Sequence, residues 1–430
     1  MKNRKTVGCA LLVALACAAC AEIGDDPYDP ALDEEEAAAR LPEPALWRVP
    51  RPALSSEQRG RQFEVDRYIR DNLYRGYRIV DTTQTYSGDI VDWVDPDSVP
   101  GSQIEPPPPV PAEELRTPPG VELQPTELEE YPELGGPDGT IPVTRPDFAA
   151  YVRGESTDAS LADYVRNRQA GGQPWYQNRQ YGGFTKSLPN TLVVANVANN
   201  IGSVENGNFS LIEVATECDG WNTDTTMELV GAVVTRDRVS SDGALRLRVE
   251  FFTAGGGAMG NYVGGWDGQV KGFVPAAGRP YGPNVLLPQS VIGSTPQYES
   301  PIKIQNYNGN WWIAHNGNWL GYYPGSYFDL MHYQGCKSLW YGEVYDPTPT
   351  SWTFTDMGSG YWPLYGNKWA AHVRNPYYGY GSSTYWPDGA SKMVPQDSLC
   401  YSNTAMTWGA SPWDRYFFLG GPGGDAFGCD

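Results

Sequence analysis

From about residue 180 onward, apolar residues come in short runs separated by Gly, Asn and Asp. Thr191-Leu-Val-Val-Ala195, Phe209-Ser-Leu-Ile212, Met227-Glu-Leu-Val230, Ala244-Leu-Arg-Leu-Arg-Val249 and Trp311-Trp-Ile313 are examples. Runs of this length, bounded by turn residues, predict strands, and many at close spacing predict a sandwich or barrel. No fixed period recurs, which disfavours a propeller or solenoid. Upstream the pattern differs. Residues 55–76 predict an amphipathic helix, opened by Ser55-Ser56 and closed by Gly76, with Phe63, Tyr68, Ile69 and Leu73 on its apolar face. Tyr77–Val80 and Gly88–Trp93 predict two strands. Residues 105–146, with Pro106–Pro109 and many Glu, predict an extended, solvated linker. A short helix is expected near Leu161–Arg166.

Composition sharpens this division. The 430 residues include 49 Gly and 28 Tyr, and aromatics make up 13%. That profile fits an all-β fold rich in turns. The net charge is −20. Residues 22–150 hold 28 acidic residues against 11 Arg and no Lys, so most of the charge belongs to the N-terminal region. With no basic surface to meet phosphates, nucleic acid is excluded as a partner. Residues 22–45 read as a solvated, self-repelling leader to the folded part.

Met1-Lys-Asn-Arg-Lys5, followed by the apolar stretch Val7–Ala19, reads as an export signal too short to span a membrane. Two cleavage patterns fit it. Cys17-Ala-Ala-Cys20 is like a lipoprotein site, which would lipidate Cys20 and attach the chain to a membrane. Cleavage after Ala21 is the alternative. Four cysteines lie beyond the leader: Cys218, Cys336, Cys400 and Cys429. An even number in an exported chain predicts two disulfides. His315, His332 and His372 are the only histidines and form no HExxH, so neither zinc nor a histidine-activated nucleophile is expected. No cofactor is expected.

Candidate chemistry therefore falls to carboxylates. Glu213, Glu228, Glu250 and Glu343 all lie within apolar, strand-like runs, where an unpaired carboxylate is costly. Glu343 stands out, inside the aromatic run Leu339-Trp-Tyr-Gly-Glu-Val-Tyr345. Two such glutamates facing one cleft would share a proton, giving one acid and one base able to activate water. Glycosidases use the same pair, and the Trp-, Tyr- and Asn-rich surface also suits sugars. On the residues alone, acid peptidase, glycoside hydrolase and a non-catalytic carbohydrate- or cell-surface-binding sandwich all stay open.

Over residues 180–430 the chain resembles the neprosin family of glutamic prolyl endopeptidases. Phe209-Ser-Leu211 opens the likeness. Gly309-Asn-Trp-Trp312 and Gly321-Tyr-Tyr-Pro324 resemble the family's GNWW and GYWP. Gly342-Glu-Val344 matches the end of its GGE(I/V), with Tyr341 replacing the first Gly. Met357–Gly360 matches MGSG, and Cys400-Tyr401, Phe417–Gly423 and Cys429 resemble its closing CY…GGPG…C. Ser87–Asp92 and Gly139–Pro142 resemble parts of its activation peptide.

The resemblance implies a metal-free peptidase that cuts proline-containing peptides at acid pH, is made as a zymogen and is held by its own prosegment. It places the catalytic pair at Glu343 and Glu228, and sets Glu213 and Glu250 at non-catalytic positions. Met227-Glu-Leu-Val-Gly231 departs from the family's I-E-A-G-W by one extra residue and a missing Trp. Trp311, Trp312, Tyr322, Tyr341 and Ser359 are the expected substrate contacts. Family order pairs Cys400 with Cys429, leaving Cys218 for Cys336. The expected organisation is a leader at 1–21, a small mixed prosegment at 22–104, a Pro/Glu-rich linker at 105–170 and an antiparallel β-sandwich peptidase domain at 171–430. A monomer is expected.

Overall fold

The computed structural model describes residues 40–99, 107–108, 116–156, 158–169, 179–219, 227–238, 243–253, 263–266, 272–346, 353–395, 397–425 and 428–429. The expected export signal, Cys20, the acidic stretch 22–39 and the prolines at 106 and 109 lie outside them. The described helices and strands all belong to one unit, Leu41–Asp430.

The first helix, α1 (Ser56–Tyr68), starts where Ser55 and Gln58 cap one another's backbone N–H groups. A single wider turn, Ile69–Leu73, carries it on to Gly76, whose φ of 92° reverses the chain. Val65, Ile69 and Tyr74 pack against α2 (Ala149–Arg153) and α3 (Leu161–Gln169) through Phe148, Tyr151 and Tyr164. Strands β1 (Ile79–Gln84), β2 (Ile90–Val94) and β4 (Ile141–Thr144) form a small antiparallel sheet. At its centre buried Asp92 takes a two-point ion pair from Arg145, at 2.6 and 3.0 Å.

The expected solvated linker is corrected from residue 116 onward. Val121, Leu128, Leu134 and Ile141 are all buried. Between the small-sheet strands, β3 (Val121–Glu122) pairs in parallel with a strand of the main body. Their spacing follows neither a helical nor a strand period, so the proline and glutamate content masked them.

The main body runs through β5 (Arg179–Lys186), β6 (Leu192–Ala198), β7 (Phe209–Cys218), β8 (Glu228–Asp237), β9 (Leu245–Phe252) and β10 (Gly264–Trp266). It continues with β11 (Val274–Pro275), β12 (Gln297–Tyr307), β13 (Asn310–His315), β14 (Asn318–Pro324) and β15 (Lys337–Tyr345). Strands β16 (Ala371–Tyr380), β17 (Ser383–Tyr385), β18 (Ser391–Met393), β19 (Ser402–Asn403), β20 (Thr407–Trp408) and β21 (Arg415–Gly420) complete it. Among the described residues, seven strands make one sheet, in the order β10-β9-β8-β7-β15-β5-β18. Eleven make the other, along β11-β14-β13-β12-β6-β16-β21-β19, with β3, β17 and β20 attached.

The inner faces of both sheets share one core, from Val193, Ile212, Val230 and Val249 to Ile304, Trp311, Trp340 and Phe417. The expected β-sandwich is therefore present. Each aliphatic side chain buried there contributes about 1.5–3 kcal/mol. The smaller sheet carries a second apolar layer on its outward face, which includes Phe209, Leu211, Leu229, Val233 and Tyr341. Both faces of β7 and β8 are consequently buried.

Both expected disulfides form. Cys218–Cys336 joins the end of β7 to the residue preceding β15, and closes a separation of 118 residues. Cys400–Cys429 ties the C-terminal segment.

Candidate active site

Leu339 and Tyr341 point to the outward face of the smaller sheet, and Trp340 and Val344 to the shared core. Alternation along the strand thus puts Glu343 on the outward face with Tyr341. Glu343 is only 2% exposed. Its partner is Arg179, at the start of the neighbouring strand β5, whose Nη1 donates to Glu343 Oε1. The guanidinium also lies over the rings of Phe209 and Tyr345, at 5.4 and 5.2 Å. Burial pushes the Glu343 carboxyl up to about 7, against the pull of Arg179 and with a smaller upward push from Glu250. Burial alone would lower Arg179, but the Glu343 charge holds it above its usual range.

Two further glutamates share this face. Glu213 of β7 lies directly opposite Tyr341 of β15, and the Tyr341 hydroxyl donates to Glu213 Oε2. Glu250 of β9 lies opposite Gly231 of β8. Gly231 opens the path between them. A Cβ there would clash with Glu213 Oε1 and come within 3.2 Å of Glu250 Cγ. Because that position is bare, the two carboxyl groups approach each other across the intervening strand. Two buried carboxyl groups brought this close favour sharing a proton. Trp266 Nε1 donates to Glu250 Oε2 at 2.5 Å.

Burial raises Glu213 well above the usual carboxylate range, and the neighbouring Glu250 raises it further. Burial raises Glu250 too, offset by its bonds from Glu213 and Trp266 and by the charge of Arg179. The pair is therefore raised as a unit, Glu213 further than Glu250. Such a cluster can present a proton donor and an ionisable acceptor side by side.

Glu228 is not part of it. Its neighbours Val230 and Ala232 face the shared core, while Leu229 and Val233 face outward. By register Glu228 sits at the level of Cys218, and Glu343 at the level of Leu211. Seven residues of strand separate them, roughly 23 Å, on opposite faces. The Glu228 carboxylate instead accepts three backbone N–H bonds, from Asp329, Leu330 and Met331, each 2.8 Å long. The expected Glu228–Glu343 pair is thus corrected. The groups on the Glu343 face are Glu213 and Glu250.

Of the expected substrate contacts, only Tyr341 belongs to this cluster. Trp311, Trp312 and Tyr322 lie in the other sheet. Trp311 sits in the shared core, with its Nε1 on Met331 O at 2.7 Å. Trp312 and Tyr322 pack on each other, ring centroids 4.6 Å apart, in a separate buried cluster. Ser359 donates to Trp369 O at 2.5 Å and secures a turn.

These titrations carry a consequence for stability. A carboxyl raised in the folded state stabilises fully below its ordinary value of 4.5, and that contribution is lost as pH rises through the folded value. For Glu343 the window runs from 4.5 to about 7. Asp356, pushed up to about 7 by burial, acts in the same direction. Glu299 is lowered, because His372 and Arg374 outweigh its burial, so its contribution is lost only at more acid pH. Thermal unfolding should therefore come several degrees higher near pH 5 than near pH 7.5, and Glu343→Gln should flatten part of that slope. A melting profile that rises towards neutrality contradicts the assignment.

Two antiparallel sheets around a shared core, with three clustered glutamates on one outward face, define an all-β protein whose candidate chemistry rests on glutamates. The Neprosin family model matches residues 206–422, half of the chain. The chain belongs to the neprosin family, and that membership supports a peptidase of the glutamic type. Solved structures give remote likenesses. A scytalido-glutamic peptidase with a peptide-based transition-state analogue is 8% identical, with a TM-score of 0.32, over 57% of this chain and 98% of that one. SCP-B, a member of the Eqolisin family in complex with the tripeptide Ala-Ile-His, is 8% identical, with a TM-score of 0.31, over 57% of this chain and 98% of that one.

Proposed function

We propose that this chain is an exported glutamic endopeptidase, made in latent form, that hydrolyses peptide bonds following proline. Its catalytic groups are Glu343 and the Glu213–Glu250 carboxyl pair. The observation that carries this reading is the placement of two adjoining carboxyls and an arginine-held carboxyl on one face of one sheet. Glu343, ionised, takes a proton from water, and the water oxygen attacks the carbonyl carbon. Glu213, protonated, donates to the carbonyl oxygen and then gives its proton to the leaving nitrogen. Glu343 then holds one proton and the Glu213–Glu250 pair lacks one, so a transfer between them restores the start. Tyr341 and Trp266 hold the pair in place. Preference for proline rests on the family motifs, and export rests on the leader and the disulfides.

Latency has structural support. Helix α3 packs against β10, the strand that carries Trp266. Asp89, in the turn between β1 and β2, makes a two-point ion pair with buried Arg246 of β9, at 2.7 and 2.8 Å. Uncovering this face readmits water, which lowers the buried carboxyls towards their ordinary range and sets an acid working pH. Self-removal of the N-terminal region after acidification is the expected route, and the region's own prolines are the expected cleavage points.

The test is to acidify the full chain and follow proline-containing and proline-free peptides by mass spectrometry, with and without chelator. Cleavage after proline, insensitive to chelator, is expected. Sugar release from a polysaccharide panel without peptide cleavage overturns the reading. Asp89→Asn, which removes one charge of the Arg246 pair, should speed loss of the N-terminal region in a gel time course. An unchanged or slower course removes this pair from latency.

A further inference from the structure

The guanidinium of Arg374 is fully buried on the outward face of the larger sheet. Its Nε donates to both oxygens of Glu299, at 2.5 and 2.7 Å. Asn196 and His372 contact the same carboxylate, at 3.3 and 2.8 Å. Nη1 donates to Pro412 O at 3.0 Å. Nη2 donates to the main-chain carbonyl of Arg116, at 2.6 Å. That last acceptor belongs to the N-terminal region, not to the sandwich.

Four residues later, Gly120 O accepts from Gln297 N at 2.8 Å, and Val121–Glu122 run parallel to Gln297–Tyr298. Between these two anchors Pro118 is buried, while Pro119 is exposed. Neither proline has an N–H to satisfy. Beside Arg116 the groove continues as a cavity of about 310 Å³, whose lining includes Asn196, Tyr377, Tyr385, Trp386 and Asp414.

We propose that this face is a second chain-binding groove, which takes an extended, proline-containing peptide in trans once residues 116–122 leave it. A buried guanidinium N–H that loses its acceptor is costly, and so is a strand edge that loses its neighbour. Any extended chain that presents carbonyls at the same spacing satisfies both, by strand addition. The aromatic wall suits proline rings, and Asp414 suits a basic residue such as the one the protein's own segment places there. The groove lies on the sheet opposite the Glu343 face. A long chain held here leaves that face free, so the groove anchors substrate and performs no chemistry. The proposal does not depend on the catalytic assignment, and its test uses no turnover.

The test opens the groove in the full chain by Arg116→Gly, Thr117→Ser, Pro118→Gly and Pro119→Ser together, in a Glu343→Gln background so that no peptide is consumed. Binding of a fluorescent peptide, Arg-Thr-Pro-Pro-Gly-Val-Glu-Leu, is read by anisotropy. The opened chain should bind at least about tenfold more tightly than the intact chain. Adding Trp386→Ala, or replacing both peptide prolines by alanine, should reverse most of that gain. Equal binding by a folded opened chain and the intact chain overturns the proposal. If the opened chain fails to fold, hydrogen exchange on the intact chain decides. Excess free peptide should displace the segment and speed exchange of the segment's own Val121 amide, which bonds Pro118 O at 3.0 Å while the segment is docked, and no change overturns the proposal.

Discussion

Glu343→Gln should give a folded, acid-stable chain that cuts peptides roughly 10²–10⁴-fold more slowly than wild type. Glutamine keeps the size and one acceptor oxygen for Arg179, but it cannot take a proton from water. The loss should fall on kcat, because the amide still fills the same space on the sheet. Glu213→Gln should lose a similar amount for the opposite reason. Its amide can still accept from Tyr341 and donate to Glu250, but it has no proton to give to a leaving nitrogen. The two variants should leave different traces in the pH profile of any residual activity. Removing Glu343 erases the acid limb, which reports ionisation of the base. Removing Glu213 erases the alkaline limb, which reports retention of the acid. Steady-state rates on a proline-containing peptide check this, and either variant within threefold of wild type sinks its assigned role.

Much of the sandwich was legible in the chain because its strands are short, apolar and bounded by turn residues. Glu343 was legible for the same reason, as a carboxylate inside an aromatic strand. Its partners were not. In β7 and β8 both faces are buried, so alternation of apolar and polar residues cannot say which face a glutamate takes. Glu228, Glu213 and Glu250 therefore look alike in sequence, and only pairing register separates them. One local signal did exist. Gly231 interrupts an otherwise aliphatic strand, and a strand glycine often marks a close approach of other groups. Here it marks the passage between Glu213 and Glu250. The tandem tryptophans misled for a related reason. Neighbours in a strand face opposite ways, so Trp311 and Trp312 enter two different buried clusters and cannot wall one groove.

Glu228→Ala should destabilise the protein by roughly 3–5 kcal/mol, and only part of the full chain should be recovered as folded material. Three backbone N–H groups converge on this carboxylate, from Asp329, Leu330 and Met331. Met331 is fully buried, and its carbonyl also receives the Trp311 indole. Alanine leaves those donors without their acceptor, and a buried one such as the Met331 N–H, left unsatisfied, costs about 1–3 kcal/mol. Glu228→Gln should cost less, since one oxygen still accepts. Whatever fraction of either variant folds should cut peptides at the wild-type rate per folded molecule, with an unshifted pH profile. Denaturant titration beside active-fraction kinetics separates the cases. Full stability with lost turnover would return Glu228 to the chemistry and remove the Glu213–Glu250 pair from it. Lost stability with normal specific turnover fixes the division of labour: the same residue type caps a turn on one face of the sheet and moves protons on the other.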